Sequence, residues 1–260
     1  MPRGRCRRRR SGGGGPGARR RAWLAAALVA SGIVFGGCGH DAPTIVCIGD
    51  SITEGVTRVG STDDAGGYPG RLQTRLGASA RVVNRGVGGA STRLWLLDSR
   101  EAAAEDDWWK RFRERWGTAP LPPPGRSLLR ATLERDRPDV VVVLLGVNDV
   151  YYERTDPAPP EVVARTVARL ATIVSEARAT GATVLLGTAL PNHRDPPARV
   201  AALNAAVGTL APDHLPTGER FGERDWPRLL ADDVHPNGDG YQVLADVLAE
   251  ELVRRGLVRQ

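Results

Sequence analysis

The run Asp139–Leu145 (DVVVVLL) restricts the fold more than any other stretch of this chain. It is β-branched, continuous and too short for a core helix, so it reads as a strand. Its apolarity does not alternate. Both faces must therefore be buried, as in a parallel sheet covered by helices. Thr44–Gly49 (TIVCIG), Arg81–Asn84 and Thr183–Leu186 read as further strands. Helical spacing lies between them. Tyr68–Leu76 turns about Leu72 and Leu76, and Ser127–Arg135 repeats apolar residues at helical intervals. Pro160–Thr180 places Val163, Val167, Leu170 and Val174 on one face and stops at Gly181. Later helices are expected around Val200, Leu203, Ala206 and Val207, and over Tyr241–Arg254. Strand–helix alternation with buried strands predicts a doubly wound α/β sheet with right-handed crossovers. Its last strand is indistinct, because Leu215–Phe221 carries proline, glycine and charges.

In such sheets, sites form beyond the carboxyl ends of the strands. Four short blocks fall at predicted element ends. Gly49-Asp50-Ser51-Ile52-Thr53 follows the first strand, and Asn84-Arg85-Gly86-Val87-Gly88-Gly89 follows the second. Gly146-Val147-Asn148-Asp149 follows the third, and Asp232-Asp233-Val234-His235-Pro236 precedes the closing helix. Taken singly, a serine after a strand is a helix cap, a glycine-rich segment a turn and a lone histidine structural. Together they hold what acyl chemistry needs. A serine hydroxyl requires an adjacent base to attack at neutral pH. Histidine can take that proton and return it, provided a carboxylate holds the right tautomer. The three-residue spacing from Asp232 to His235 lets one turn bring both side chains together, and favours Asp232 over Asp233. Backbone and amide N–H groups can hold the oxyanion that develops.

The four blocks, in this order, resemble the SGNH hydrolase family of GDSL-type esterases and lipases, over roughly residues 44–250. The resemblance implies a flavodoxin-like three-layer sandwich with a mostly parallel sheet of about five strands and helices on both faces. It implies Ser51 as nucleophile, His235 as base and Asp232 as the acid that orients it. It also implies an oxyanion hole made by the N–H groups of Ser51 and Gly86 and the side-chain amide of Asn148. Asp50, Asn84 and Asp149 are supporting candidates. The implied reaction is hydrolysis of a carboxylic ester, on an acetylated glycan or a lipid, through an acyl-serine. An acyltransferase or a non-catalytic glycan-binding relative is the alternative reading.

Other chemistries lack their residues. Ser91 occupies the last glycine position of a dinucleotide loop in Gly86–Ser91, and this is not the first strand. The sole lysine, Lys110, follows Trp109, so no phosphate-binding P-loop is present. His40, His193 and His214 show no metal-ligand spacing, so neither metal nor cofactor is expected. Asn192 and His193 follow a strand and are candidates to border the site.

The net charge of +6 suggests a nucleic-acid partner, but its distribution argues against one. Residues 1–37 hold nine arginines and no acid; of 36 basic residues, 27 remain against 30 acidic ones, a balance of −3. The basic stretch to Arg21, the apolar run Ala22–Phe35 and the small residues before Cys38 read as an export signal over 1–37. Its end resembles a lipobox, which would lipidate Cys38 and attach the domain 38–260 to a membrane at the cell envelope; ordinary secretion into the periplasm or medium, with cleavage near Gly37–Gly39, or an uncleaved anchor is the alternative. Of the other cysteines, Cys6 lies in the leader and Cys47 in a strand, so no disulfide is expected in the domain. One stretch, near 92–125, breaks the alternation: it carries Trp95, Trp108, Trp109 and Trp116 and reads as an insertion, either a lid or a packed helix.

Overall fold

The computed structural model describes residues 42–98, 125–152 and 160–259. Its strands are β1 Thr44–Gly49, β2 Val56–Arg58, β3 Ser61–Thr62, β4 Arg81–Gly86, β5 Val140–Leu144 and β6 Thr183–Leu186. Its α-helices are α1 Ser51–Glu54, α2 Gly67–Leu76, α3 Thr92–Leu96, α4 Leu128–Asp136, α5 Val147–Tyr152, α6 Pro160–Arg178, α7 Pro197–Leu210, α8 Thr217–Gly222 and α9 Gly238–Arg254. The main sheet runs β4-β1-β5-β6 with every pairing parallel. Chain order thus reverses at β1, and the crevice between diverging connections opens beyond the carboxyl ends of β1 and β5. Among the described residues the sheet has four strands where about five were expected. At the fifth position a single parallel bridge, Gly187 to Leu215, is all that pairs. Pro216 and Gly218 beside it explain why: one lacks a ladder donor and the other a side chain to pack.

The continuous apolar strands behave as their pattern demands. Val46 and Ile48, Val141 and Val143, and Val184 and Leu186 face one core, which α3, α4, α6 and α7 cover. Ile45 and Cys47, Val140, Val142 and Leu144, and Leu185 face the other, against α2, α8 and α9. Each large apolar side chain so buried contributes about 1.5–3 kcal/mol. Two helix readings shift. The buried stripe of α6 is Val162, Thr166, Leu170, Ile173, Val174 and Ala177, so Leu170 and Val174 lie where expected while Val163 and Val167 are on its flank. Thr166 can enter the core because its hydroxyl donates to Val162 O at 2.8 Å. The last helix begins at Gly238, where the Asn237 side chain accepts the Gly240 N–H at 3.0 Å.

Of the aromatic-rich stretch, Thr92–Asp98 is described, and it contributes α3 with Trp95 fully buried. Trp95 is therefore a core residue. Residues 99–124, with Trp108, Trp109 and Trp116, lie outside the described residues, as do the leader and Cys38.

Candidate active site

Ser51 is the first residue of α1, directly beyond β1. The Asp50 carboxylate caps this short helix by accepting the Ile52 N–H at 2.9 Å. Gly55, at φ 99°, closes it by donating its N–H to Ser51 O at 3.1 Å. These two bonds hold Ser51 at the carboxyl edge of the sheet.

The histidine comes from the loop before α9. Ala231 N–H donates to His235 O at 2.8 Å and closes a ring around Asp232, Asp233 and Val234. Outside the ring, Arg58 Nε donates to Ala231 O at 3.0 Å and His193 N–H donates to Asp233 O at 2.8 Å. Inside it, Asp232 Oδ1 accepts the N–H groups of Val234 at 2.8 Å and His235 at 2.7 Å. Asp232 Oδ2 lies 2.8 Å from His235 Nδ1. His235 Nε2 lies 2.9 Å from Ser51 Oγ, joining positions 184 residues apart. A carboxylate only accepts, so Nδ1 carries the imidazole proton and Nε2 is left to accept from the serine hydroxyl. Burial raises the Asp232 carboxyl, but hydrogen bonds from His235 and Val234 outweigh it and hold the group below its ordinary value. Asp233 is exposed and supplies only its carbonyl.

The remaining candidates come from the carboxyl ends of β4 and β5, the strands that flank β1. Asn148 is buried, and its Nδ2 donates to Ala90 O at 3.1 Å, which leaves the amide a second N–H. Gly86 differs from its expected role. Its N–H, expected to face the oxyanion, donates to Asn84 Oδ1 at 2.9 Å. Glycine is needed there for another reason: a Cβ would lie 2.0 Å from the Glu54 backbone nitrogen. The following residues form a turn, with Ala90 N–H donating to Val87 O at 3.0 Å and Gly89 at φ 69°. In such a turn the N–H of Gly89 takes no part in the closing bond. The Asn84 amide also donates to Glu54 O at 3.4 Å and Gly66 O at 3.3 Å, fastening β4 to the chain after α1. Asp149 is buried and accepts both the N–H and the hydroxyl of Thr92.

Of the two residues expected to border the site, Asn192 lines a small cavity with Asp50, Ile52 and Val234. The His193 ring packs instead against Trp226, with centroids 4.7 Å apart. Thr92, Arg58 and Arg169 escape sequence reasoning. Each acts on a partner far away in the chain, and none belongs to a block. Arg194, over the Tyr151 ring at 3.7 Å, escapes it for the same reason.

Burial pushes the Asp50 carboxyl up to about 7, against the Ile52 hydrogen bond and the field of Arg194, with Asp149 adding to the rise. The folded value exceeds the ordinary 3.8, so the folded chain binds more protons between the two values. The associated stability is complete below the lower value and lost as pH rises through the upper one. Asp50→Asn keeps the capping oxygen and removes the titration. Thermal melting from pH 4 to pH 7 should therefore decline less in the variant than in the parent. Equal declines would mean Asp50 is already ionised near pH 5.

Residues 47–243 match the GDSL-like lipase/acylhydrolase family. No curated protein matches the chain. Among solved structures, TesA is 24% identical over 81% of this chain and 98% of its own, with a TM-score of 0.56. The lipase/acylhydrolase from Enterococcus faecalis is 18% identical over 84% of this chain and 97% of its own, with a TM-score of 0.57. The acetylxylan esterase Axe2 from Geobacillus stearothermophilus is 22% identical over 82% and 94%, with a TM-score of 0.54. These likenesses carry the fold, and the family match spans all four blocks. The chain belongs to the GDSL-like lipase/acylhydrolase family and is a carboxylic ester hydrolase.

Proposed function

We propose that the chain hydrolyses acetyl or other short acyl esters on a glycan or lipid through an acyl-Ser51 intermediate. The unbroken line from Ser51 Oγ through His235 to Asp232 carries this reading. The Ser51 oxygen attacks the ester carbonyl carbon as its proton passes to His235 Nε2. Asp232 stabilises the imidazolium that forms. The oxyanion is received by the Ser51 N–H, the free N–H of the Asn148 amide and the Gly89 N–H, which takes the place expected of Gly86. When the tetrahedral species collapses, the C–O bond to the alcohol breaks and His235 gives the alcohol its proton. Water, deprotonated by the same nitrogen, then releases the acid and restores Ser51.

An acetylated glycan is the favoured substrate, because acetylxylan esterases stand among the structural neighbours. We further infer export and attachment to the cell envelope through a lipidated Cys38, on the leader's pattern of basic, apolar and small residues. The substrate test is a panel of p-nitrophenyl esters from acetate to palmitate, with acetate release from acetylated xylan measured alongside. Fastest turnover of the acetate ester, with free acetate as product, is expected. Turnover of long chains alone would replace the glycan by a lipid, and transfer of acetyl to an added sugar in place of free acetate would make the enzyme a transferase.

A further inference from the structure

We propose that Thr92 is a positioning residue for the oxyanion donors, acting through its paired hydrogen bonds to Asp149, with Arg169 as the anchor of that carboxylate. This rests on the serine-esterase reading above. Thr92 N–H donates to Asp149 Oδ2 at 2.8 Å and Thr92 Oγ1 donates to Oδ1 at 2.5 Å. Both oxygens of one carboxylate are thus spent on one residue, at the N-terminus of α3, where negative charge is favoured. The Asp149 side chain is 3% exposed, and Arg169 from α6 reaches Oδ1 at 3.6 Å. Burial raises the Asp149 carboxyl, and the Thr92 bonds and the arginine oppose that rise. Its neighbour Asn148 meanwhile holds Ala90 O at 3.1 Å. Two consecutive residues of α5 therefore grip residues 90 and 92, and Ala90 closes the turn that carries Gly89.

The same helix reaches the nucleophile. Trp95, on α3, donates its indole N–H to Gly49 O at 3.2 Å, two residues before Ser51. Thr92 and Trp95 are both fully buried. The short helix α3 is thus a strut between the end of β5, with its oxyanion amide, and the end of β1, with its serine. If the strut loosens, the Asn148 amide and the Gly89 N–H shift relative to the acyl carbon. Such donors act on charge that develops only in the transition state, so the loss falls on kcat and leaves KM alone.

The test compares Thr92→Val, which keeps shape and removes the hydroxyl, with Thr92→Ser, which keeps the hydroxyl and removes a methyl group. On p-nitrophenyl acetate, Thr92→Val should lose about tenfold in kcat with KM within about twofold. The inhibition constant of an alkylboronic acid, which forms a tetrahedral adduct on the serine, should rise by the same factor. Thr92→Ser should recover most of both. An unchanged kcat in Thr92→Val, equal losses in the two variants, or a loss confined to KM would each overturn the proposal; equal losses would mean the methyl group matters through packing. Should Thr92→Val fail to fold, Arg169→Gln serves in its place, with about a threefold fall in kcat at constant KM expected and no change overturning the inference. A parent enzyme whose turnover survives Ser51→Ala would end the esterase reading itself, and this inference with it. Normal Ser51-dependent turnover with an unaffected Thr92→Val would end this inference alone.

Discussion

Ser51→Ala should lower kcat for ester hydrolysis by on the order of 10⁴-fold or more, with the chain still folded. The hydroxyl it removes is the atom that His235 Nε2 faces at 2.9 Å, and Ser51 is not the cap of its own helix. That cap is Asp50, which the substitution leaves in place. Helix propensity favours alanine over serine. Thermal stability should fall by no more than about 1–1.5 kcal/mol, the worth of the one buried hydrogen bond to His235 Nε2 that is lost. The loss should be incomplete, because the proposed donors, the residue-51 N–H and the Asn148 amide, would still stabilise an oxyanion formed by direct attack of water. Since hydroxyl and imidazole act as one unit, Ser51→Ala with His235→Ala should be no slower than either alone. Initial rates on p-nitrophenyl acetate, with circular dichroism to monitor folding, decide the matter. A variant retaining a tenth of the parental rate is incompatible with an acyl-Ser51 intermediate.

Much of this arrangement is legible in the chain because it depends on local composition. Asp139–Leu145 announces a doubly buried strand in any context, and β5 Val140–Leu144 lies at the centre of the reading. The Asp232–His235 spacing likewise needs only one turn, and the loop delivers both side chains to one hydrogen bond. What stays hidden is set by partners far along the chain. The need for glycine at position 86 is visible, but the reason, the backbone of Glu54 pressing against it, requires β4 to be docked beside α1. The pairing of Thr92 with Asp149 spans 57 residues and leaves no periodic trace. Thr166 reads as a surface residue by type, and becomes a core residue once its hydroxyl is satisfied one turn back. The β2–β3 hairpin escapes because strands of three and two residues carry too little pattern to detect. Helix α3 escapes because its five residues merge with the tryptophan-rich run that follows.

Asp232→Asn should reduce kcat by about 10⁴-fold with little cost in stability, and the geometry dictates why. Oδ1 of Asp232 accepts two backbone N–H groups, from Val234 at 2.8 Å and His235 at 2.7 Å. In the asparagine variant only the carbonyl oxygen can accept them, so it must occupy the Oδ1 position. The NH₂ group is then forced into the Oδ2 position, 2.8 Å from His235 Nδ1. A donor there obliges Nδ1 to accept, which moves the imidazole proton to Nε2. That nitrogen then presents N–H to Ser51 and has no lone pair with which to take the serine proton. Both loop-closing bonds survive, so the melting temperature should barely change, in contrast with Asp232→Ala, which strips three N–H groups of their acceptor. Kinetics and melting curves for the pair separate the roles. If Asp232→Asn lost less than about tenfold in kcat, the carboxylate would be a loop brace and not the group that sets the histidine tautomer. Equal destabilisation by both substitutions would mean that the two backbone bonds do not orient the amide. The same two bonds that make the loop rigid in the parent enzyme are thus what make this conservative change so damaging to the chemistry.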